Sequence, residues 1–345
     1  MQLSFKPFFV LAAYLLLMAC SQPTPPEAEA TSKTAPSDIQ DNLKEWSILL
    51  ANGHRQKDLI DFQHDDYFYT AGENTDWVVY KAPNGGVTSP NSHNTRTELG
   101  QKQRWTPASG GRLTGTLKVM HVSTSGDARI AAAYSVVVGQ IHGDDGHENE
   151  PLKIFYKKFP GHAEGSVFWN YEINTAGDDN SGRWDYSTPV WGHDMSVVGT
   201  DSAAYPTEPL EGIELGEEFS YEVNVYKGLM QLTFKSEGHP TRTFAKSLIK
   251  SDYAASSDRP EQITILYEGL GRDGVERPEA YASENQYFKQ GAYNQTNGRA
   301  PETNKVWSTG ANTYGGDLAK QYANGAYTEV WFRESSLGEG TPVEE

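Results

Sequence analysis

The chain has 345 residues, enough to bury a substantial core in one or two domains. Its 29 Lys plus Arg against 46 Asp plus Glu give a formal net charge of −17. So acidic a chain lacks the broad cationic surface that sequence-independent nucleic-acid binding requires, and its single cysteine excludes an intramolecular disulfide framework.

The first element in chain order is a processing segment. Lys6 precedes an apolar run from Phe8 to Ala19, and about 12 apolar residues are too few to span a bilayer. The run ends in Leu17-Met-Ala-Cys20, which resembles the lipobox of bacterial lipoproteins, and the one cysteine of the chain stands where such a signal needs it. The resemblance implies a signal peptide over 1–19 and lipid attachment at Cys20. With Ser21 rather than Asp beside the lipid, it also implies a cell-envelope protein anchored at the outer membrane. Residues 20–42, rich in Pro, Ala, Ser, Thr and Glu, read as a disordered tether.

The folded part is expected over 43–335, followed by a flexible tail over 336–345. Arg112–Met120, Phe219–Tyr226 and Leu229–Lys235 alternate apolar and polar residues as half-buried strands do, and Lys227-Gly228 suits a two-residue hairpin turn between the last two. Ala132–His142 reads as one long strand whose first part is buried on both faces, and Tyr327–Arg333 as a strand that closes a sheet. Ile39–Leu50 and Gly316–Tyr322 are short helix candidates. Strands at this spacing without alternating helices predict an all-β, jelly-roll sandwich in one domain.

Three segments set polar groups two residues apart, which aims them at one face of a strand. They are Arg96-Thr-Glu98, Gln140-Ile-His142 and Tyr287-Phe-Lys-Gln-Gly-Ala-Tyr-Asn-Gln295, the last with Tyr287, Lys289, Tyr293 and Gln295 in phase. Taken alone, Arg96 and Glu98 also fit a surface charge pair. Together the segments supply Arg and Lys to bind a carboxylate, and His with Tyr to exchange protons. Glu98 is the only carboxylate among them, which argues against a glycosidase acid pair. No Gly-x-Ser-x-Gly elbow supports a serine triad. The set suits β-elimination from a uronic acid polymer. A base removes the C5 proton, the carboxylate is neutralised so that charge delocalises into it, and the bond from C4 to the bridging oxygen breaks.

Arg96-Thr-Glu-Leu99, Gln140-Ile-His142 and Tyr287–Gln295 resemble, in the same order, the three signature segments of alginate lyases of polysaccharide lyase family 7. The resemblance covers about residues 45–335. It implies a β-jelly roll whose concave sheet is the polysaccharide cleft, with alginate as substrate and no cofactor or metal. It makes Arg96 and Gln140 the carboxylate neutralisers, His142 the base, Tyr293 the acid, and Lys289 and Glu98 substrate-binding residues. Tyr293 is also the base where the C5 proton lies on the leaving-group side, as in mannuronate. Ile141 leans the specificity toward guluronate-containing blocks. The first motif commonly ends in a second Arg where this chain has Gly100, and of the nearby cations only Lys102 keeps the parity of Arg96 and Glu98.

Gly143–Glu150 is read as a solvated acidic loop in preference to a calcium site. The aromatic stretch Trp169–Trp191, with Trp184 and Tyr186, suits either sugar stacking or the core. Lys153 and Tyr156 lie on opposite faces of a regular strand, so one of them at most faces the sugar. The expected protein is a monomer whose partners are an anionic polyuronate and, through its lipid alone, a membrane. Competing readings are a binding protein that kept the groove without activity, and a lyase for another polyuronate.

Overall fold

The computed structural model describes Gln2 and residues 35–343, apart from 73–74, 91, 145–148, 175–184 and 251–276. Cys20 and Trp184 therefore lie outside the described residues. Among the described residues no helix is long and apolar enough to cross a membrane.

Strands dominate. In chain order they are β1 (Trp46–Leu49), β2 (Arg55–Gln56), β3 (Phe68–Thr70), β4 (Val78–Pro83), β5 (Arg96–Gln101) and β6 (Gly111–His121). Then come β7 (Ser135–Gly143), β8 (Leu152–Lys157), β9 (Glu164–Glu172), β10 (Asp185–Trp191) and β11 (Ile213–Glu214). The last are β12 (Glu218–Tyr226), β13 (Leu229–Ser236), β14 (Arg242–Ser247), β15 (Gln286–Asn294) and β16 (Tyr327–Gly338). They form two antiparallel sheets. The first runs β10-β9-β8-β7-β15-β5-β1-β2, with β11 pairing to β9, and the second β14-β13-β12-β6-β16-β4-β3. The sheets pack face to face as the expected jelly-roll sandwich.

The core between them is aromatic and aliphatic. Trp191 meets Phe219 and Phe234 edge-on at 6.3 and 6.4 Å, and Trp169 meets Phe244 at 5.7 Å. Trp169 and Trp191 are thus core residues, each worth several kcal/mol of burial on the order of 25 cal/mol per Å². One polar network crosses this core: Gln290 Nε2 donates to Tyr221 Oη at 2.7 Å, and Tyr221 Oη to the Val138 carbonyl at 3.1 Å. Gly139 leaves the space, since a Cβ there would stand 2.6 Å from Tyr221 Oη.

The two sheets differ on their outer faces. β12 and β13 alternate buried and accessible residues, as strands wetted on one side do, whereas β7, β8, β9 and β15 bury nearly every residue. The outer, concave face of the first sheet is therefore covered over part of its width.

Local sequence explains most elements. Tyr226 and Leu229 pair across Lys227-Gly228, whose φ values of 48° and 82° are those of a hairpin turn with both central residues left-handed. The strand expected from Ala132 begins only at Ser135, because Tyr134 takes φ 62° and turns the chain. Ile39–Leu50 is not a helix; it holds the short 3₁₀ turn Leu43–Glu45 and then β1, while a helix does form at Leu318–Ala323. Both ends of the folded part reach further than the pattern suggests. Gln40 is buried and accepts from Tyr80 Oη at 3.0 Å, β16 continues to Gly338, and Thr341 and Asn224 exchange two hydrogen bonds at 2.9 Å.

Candidate active site

The three polar segments lie on three adjacent strands, β5, β15 and β7. Tyr293 pairs with Arg96, Gly291 with Glu98 and Lys289 with Gly100 on one side. Tyr287 pairs with His142 and Lys289 with Gln140 on the other. Cross-strand partners share a face, so this register alone gathers Arg96, Glu98, Gln140, His142, Tyr287, Lys289 and Tyr293 on one side of the sheet. Between Gln290 and Tyr293 the pairing to β7 shifts by one residue. Gly291 sits in that irregularity at φ 147°, where a Cβ would stand 2.5 Å from the Thr97 carbonyl and 2.9 Å from Glu98 Cα.

Glu98 is the hub. Its side chain is 1 % exposed; Lys289 Nζ lies 2.6 Å and Arg96 Nη1 3.5 Å from its Oε2, and Gln140 Nε2 donates to Oε1. Burial works to raise its pKa, but Lys289 and Arg96 together hold it below the usual carboxylate range. This is not a surface pair. Glu98 lines the larger cavity while its oxygens face Lys289, Arg96 and Gln140. Gln140 is wholly buried, so it meets the cavity through Glu98 and not at the wall.

Arg96 lies between Glu98 and the Tyr293 ring, its guanidinium carbon 3.7 Å from the ring centroid. Tyr293 Oη shares a hydrogen bond with Ser92 Oγ at 3.1 Å. His142 Nδ1 lies 2.6 Å from the Gly143 carbonyl; a carbonyl only accepts, so Nδ1 carries the hydrogen and Nε2 is left with its lone pair. Burial first, then Lys289 and Arg96, push the His142 pKa down to about 3, against the Gly143 hydrogen bond and Glu98. The ring is neutral at any ordinary pH.

Two cavities open on this face. The larger, about 550 Å³, is lined by five cations, Arg55, Lys57, Arg96, Arg104 and Lys289, against Glu98 and Glu150. The smaller, about 310 Å³, carries Glu150, Glu172, Asp185, Lys153, Arg299 and Trp307. Ser92, Glu150 and Tyr293 line both. Beyond the smaller cavity the face is roofed. Lys157 is buried and donates to the carbonyls of Ala131 at 2.8 Å and Val197 at 3.2 Å, tying two loops down, and burial pushes its pKa down to about 7. Lys153 is held by Asp185 at 2.7 Å and Glu172 at 3.0 Å beneath the Trp307 ring, while Tyr156 points the opposite way, donating to the Ile213 carbonyl.

Several expectations shift here. Lys102 turns away and donates to the Lys44 carbonyl, because β5 ends at Gln101 and the parity ends with it. Arg104 lines the cavity instead, over the Tyr287 ring at 3.9 Å and paired with Asp144 at 2.6 Å. Glu150, read as part of a solvated loop, turns into the site. Gln295 lines the smaller cavity, accepting from Asn94 Nδ2 at 3.3 Å. Ser92 and Trp307, which parity could not reveal, come from loops. Among the described residues no group of three or more His, Cys, Asp or Glu side chains is arranged to hold a metal ion.

Comparison with known proteins converges on one family. The alginate lyase family model matches residues 42–339. An alginate lyase from Klebsiella pneumoniae is 29% identical over 296 residues, covering 76% of this chain and 78% of that protein. The crystal structure of the exolytic PL7 alginate lyase AlyA5 from Zobellia galactanivorans is 65% identical, covers 90% of this chain and 99% of that one, and superposes with a TM-score of 0.88. A crystal structure of the Klebsiella pneumoniae lyase, 23% identical over 89% of this chain and 99% of that one, shares the fold at a TM-score of 0.61. With its motifs on one concave face and the family model spanning the whole sandwich, the chain belongs to the alginate lyases, the polysaccharide lyases of family 7.

Proposed function

We propose that this alginate lyase works from chain ends, with the roles of its residues set by the β5–β15–β7 register. Arg96 and Lys289 neutralise the carboxylate of the uronate at the cleavage point, while Gln140 and Glu98 hold those two cations in place. His142 Nε2 takes the C5 proton of a guluronate, the electron pair forms the C4–C5 double bond, and the bridging oxygen leaves C4 with a proton from Tyr293. On mannuronate Tyr293 takes the proton as well, because there the proton lies on the leaving-group side. The observation that carries this reading is the fixed tautomer of His142, which lines the larger cavity with its Nε2 unprotonated and its Nδ1 committed to Gly143.

Release from chain ends is supported by two facts. The relative at 65% identity is described as exolytic, and the concave face is roofed past the smaller cavity by the loops that Lys157 ties down. The polymer body then lies in the larger, cationic cavity, and the few sugars of the end lie in the smaller one. Ile141 supports a lean to guluronate-containing blocks. Leu17–Cys20, followed by Ser21, supports lipidation at Cys20 and attachment at the outer membrane, with 1–19 removed.

Purified protein incubated with separated polyguluronate, polymannuronate and mixed blocks, with ultraviolet absorbance and product sizes followed together, tests these points. Early products of one or two sugars are expected, with the fastest rise on guluronate-containing blocks; a broad ladder of long oligosaccharides at early times would overturn the chain-end reading. For anchoring, Cys20→Ser should release the protein from the membrane fraction.

A further inference from the structure

We propose that Glu150 is a positioning residue for the proton transfer, its carboxylate stabilising the imidazolium that forms on His142. The inference rests on the reading of His142 as the base. With Nδ1–H committed to the Gly143 carbonyl, the incoming proton must arrive on Nε2. Glu150 Oε1 lies 3.7 Å from that atom. While the ring is neutral both atoms are acceptors, so no hydrogen bond occupies the lone pair, and the separation lies within ion-pair range once the proton has moved.

The other charges facing His142 oppose that step. Lys289 and Arg96 disfavour a cation on the ring, and the nearby carboxylate of Glu98 is shared among Lys289, Arg96 and Gln140. Among the described residues the Glu150 carboxylate has no partner nearer than His142. Its second oxygen is 3.8 Å from Lys153 Nζ, but Lys153 has closer partners in Asp185 at 2.7 Å and Glu172 at 3.0 Å. Its main chain is fixed separately, the backbone N–H donating to Glu172 Oε1 at 3.0 Å, so the side chain can be altered without releasing the segment. A carboxylate between two cavities meant for a polyanion repels substrate, and this cost is offset if the charge lowers the barrier.

Glu150→Gln keeps the shape and removes the charge. On polyguluronate kcat should fall about tenfold or more, with KM unchanged or lower. The isotope effect on C5-deuterated guluronate should stay at or above the wild-type value, because the slowed step is proton abstraction. An unchanged kcat, a loss confined to KM, or a lost kcat whose isotope effect falls toward unity would overturn the proposal. An unfolding midpoint equal to that of the wild type excludes a folding defect. His142→Ala is assayed alongside: undiminished guluronate turnover there would remove the base assignment itself, whereas its loss together with a normal Glu150→Gln enzyme would refute only the role of Glu150.

Discussion

Arg96 and Tyr293 are direct cross-strand partners, and the guanidinium of the first lies against the ring of the second at 3.7 Å. Each holds the other. The cation is kept at the cavity wall by an aromatic face and a buried carboxylate, and the ring is kept at the junction of the two cavities by the cation beneath it. A desolvated contact of this kind is worth about 2 kcal/mol, and it does not depend on the phenol hydroxyl.

Tyr293→Phe should therefore fold normally and still bind oligosaccharide, because the ring and its stack with Arg96 remain. Turnover should fall by roughly 10² to 10⁴, the usual contribution of a positioned proton donor. Calorimetric binding with absorbance kinetics on the same preparation checks both halves, and wild-type turnover would remove the assignment.

Gly291→Ala should damage the site through the backbone. Its φ of 147° disfavours any side chain, and the added Cβ would press on Thr97 and Glu98 in the neighbouring strand. We expect a loss of about 1–3 kcal/mol in chemical denaturation. Activity should drop further than stability, because Glu98 carries the two cations.

The pH dependence of stability carries a signature of His142. Its native pKa, about 3, lies below the unfolded value near 6.5, so between those limits the unfolded chain binds a proton that the native one refuses. Stability must then fall on acidification through this window, with a slope of up to about 1.4 kcal/mol per pH unit from this group. His142→Gln should flatten that part of the curve, measured by denaturant titrations from pH 7 to 4. An identical slope in the variant would show that the burial of His142 does not set it.

Gly100→Arg should be accepted without strain. Its position has no left-handed φ, and a Cβ there meets only Ser47 and Tyr287, both at the ordinary distance of 3.8 Å. The new cation enters the larger cavity, so KM for polymer should fall several-fold at low salt and the gain should shrink as salt is raised. An unchanged KM across salt concentrations would mean that this subsite carries no sugar carboxylate.

Much of this was legible because strand parity is local. The spacing of Tyr287, Lys289 and Tyr293 sets their common face whatever the rest of the chain does, and the register of three strands then assembles Arg96, His142 and their partners. Parity failed where strands stop. Lys102 lies one residue past the end of β5, and Tyr134 turns the chain just before β7 begins. It was also silent about loops: Glu150, Ser92 and Trp307 reach the site from segments whose course depends on what they cover. The depth of Gln140 and Glu98 had no signal either, since alternation tells which face a side chain takes and not how far its neighbours close over it.

The order of strands has a consequence for how the enzyme comes into being. β15 lies between β7 and β5 in one sheet, and β16 between β6 and β4 in the other, so the last two strands of the chain occupy interior positions in both sheets. Until residues 286–338 are available, β1–β5 cannot join the strands that follow them in either sheet. Such long-range pairing is slow and comes late. A C-terminally shortened chain that lacks β15 and β16 thus has no strand to join the two parts of either sheet.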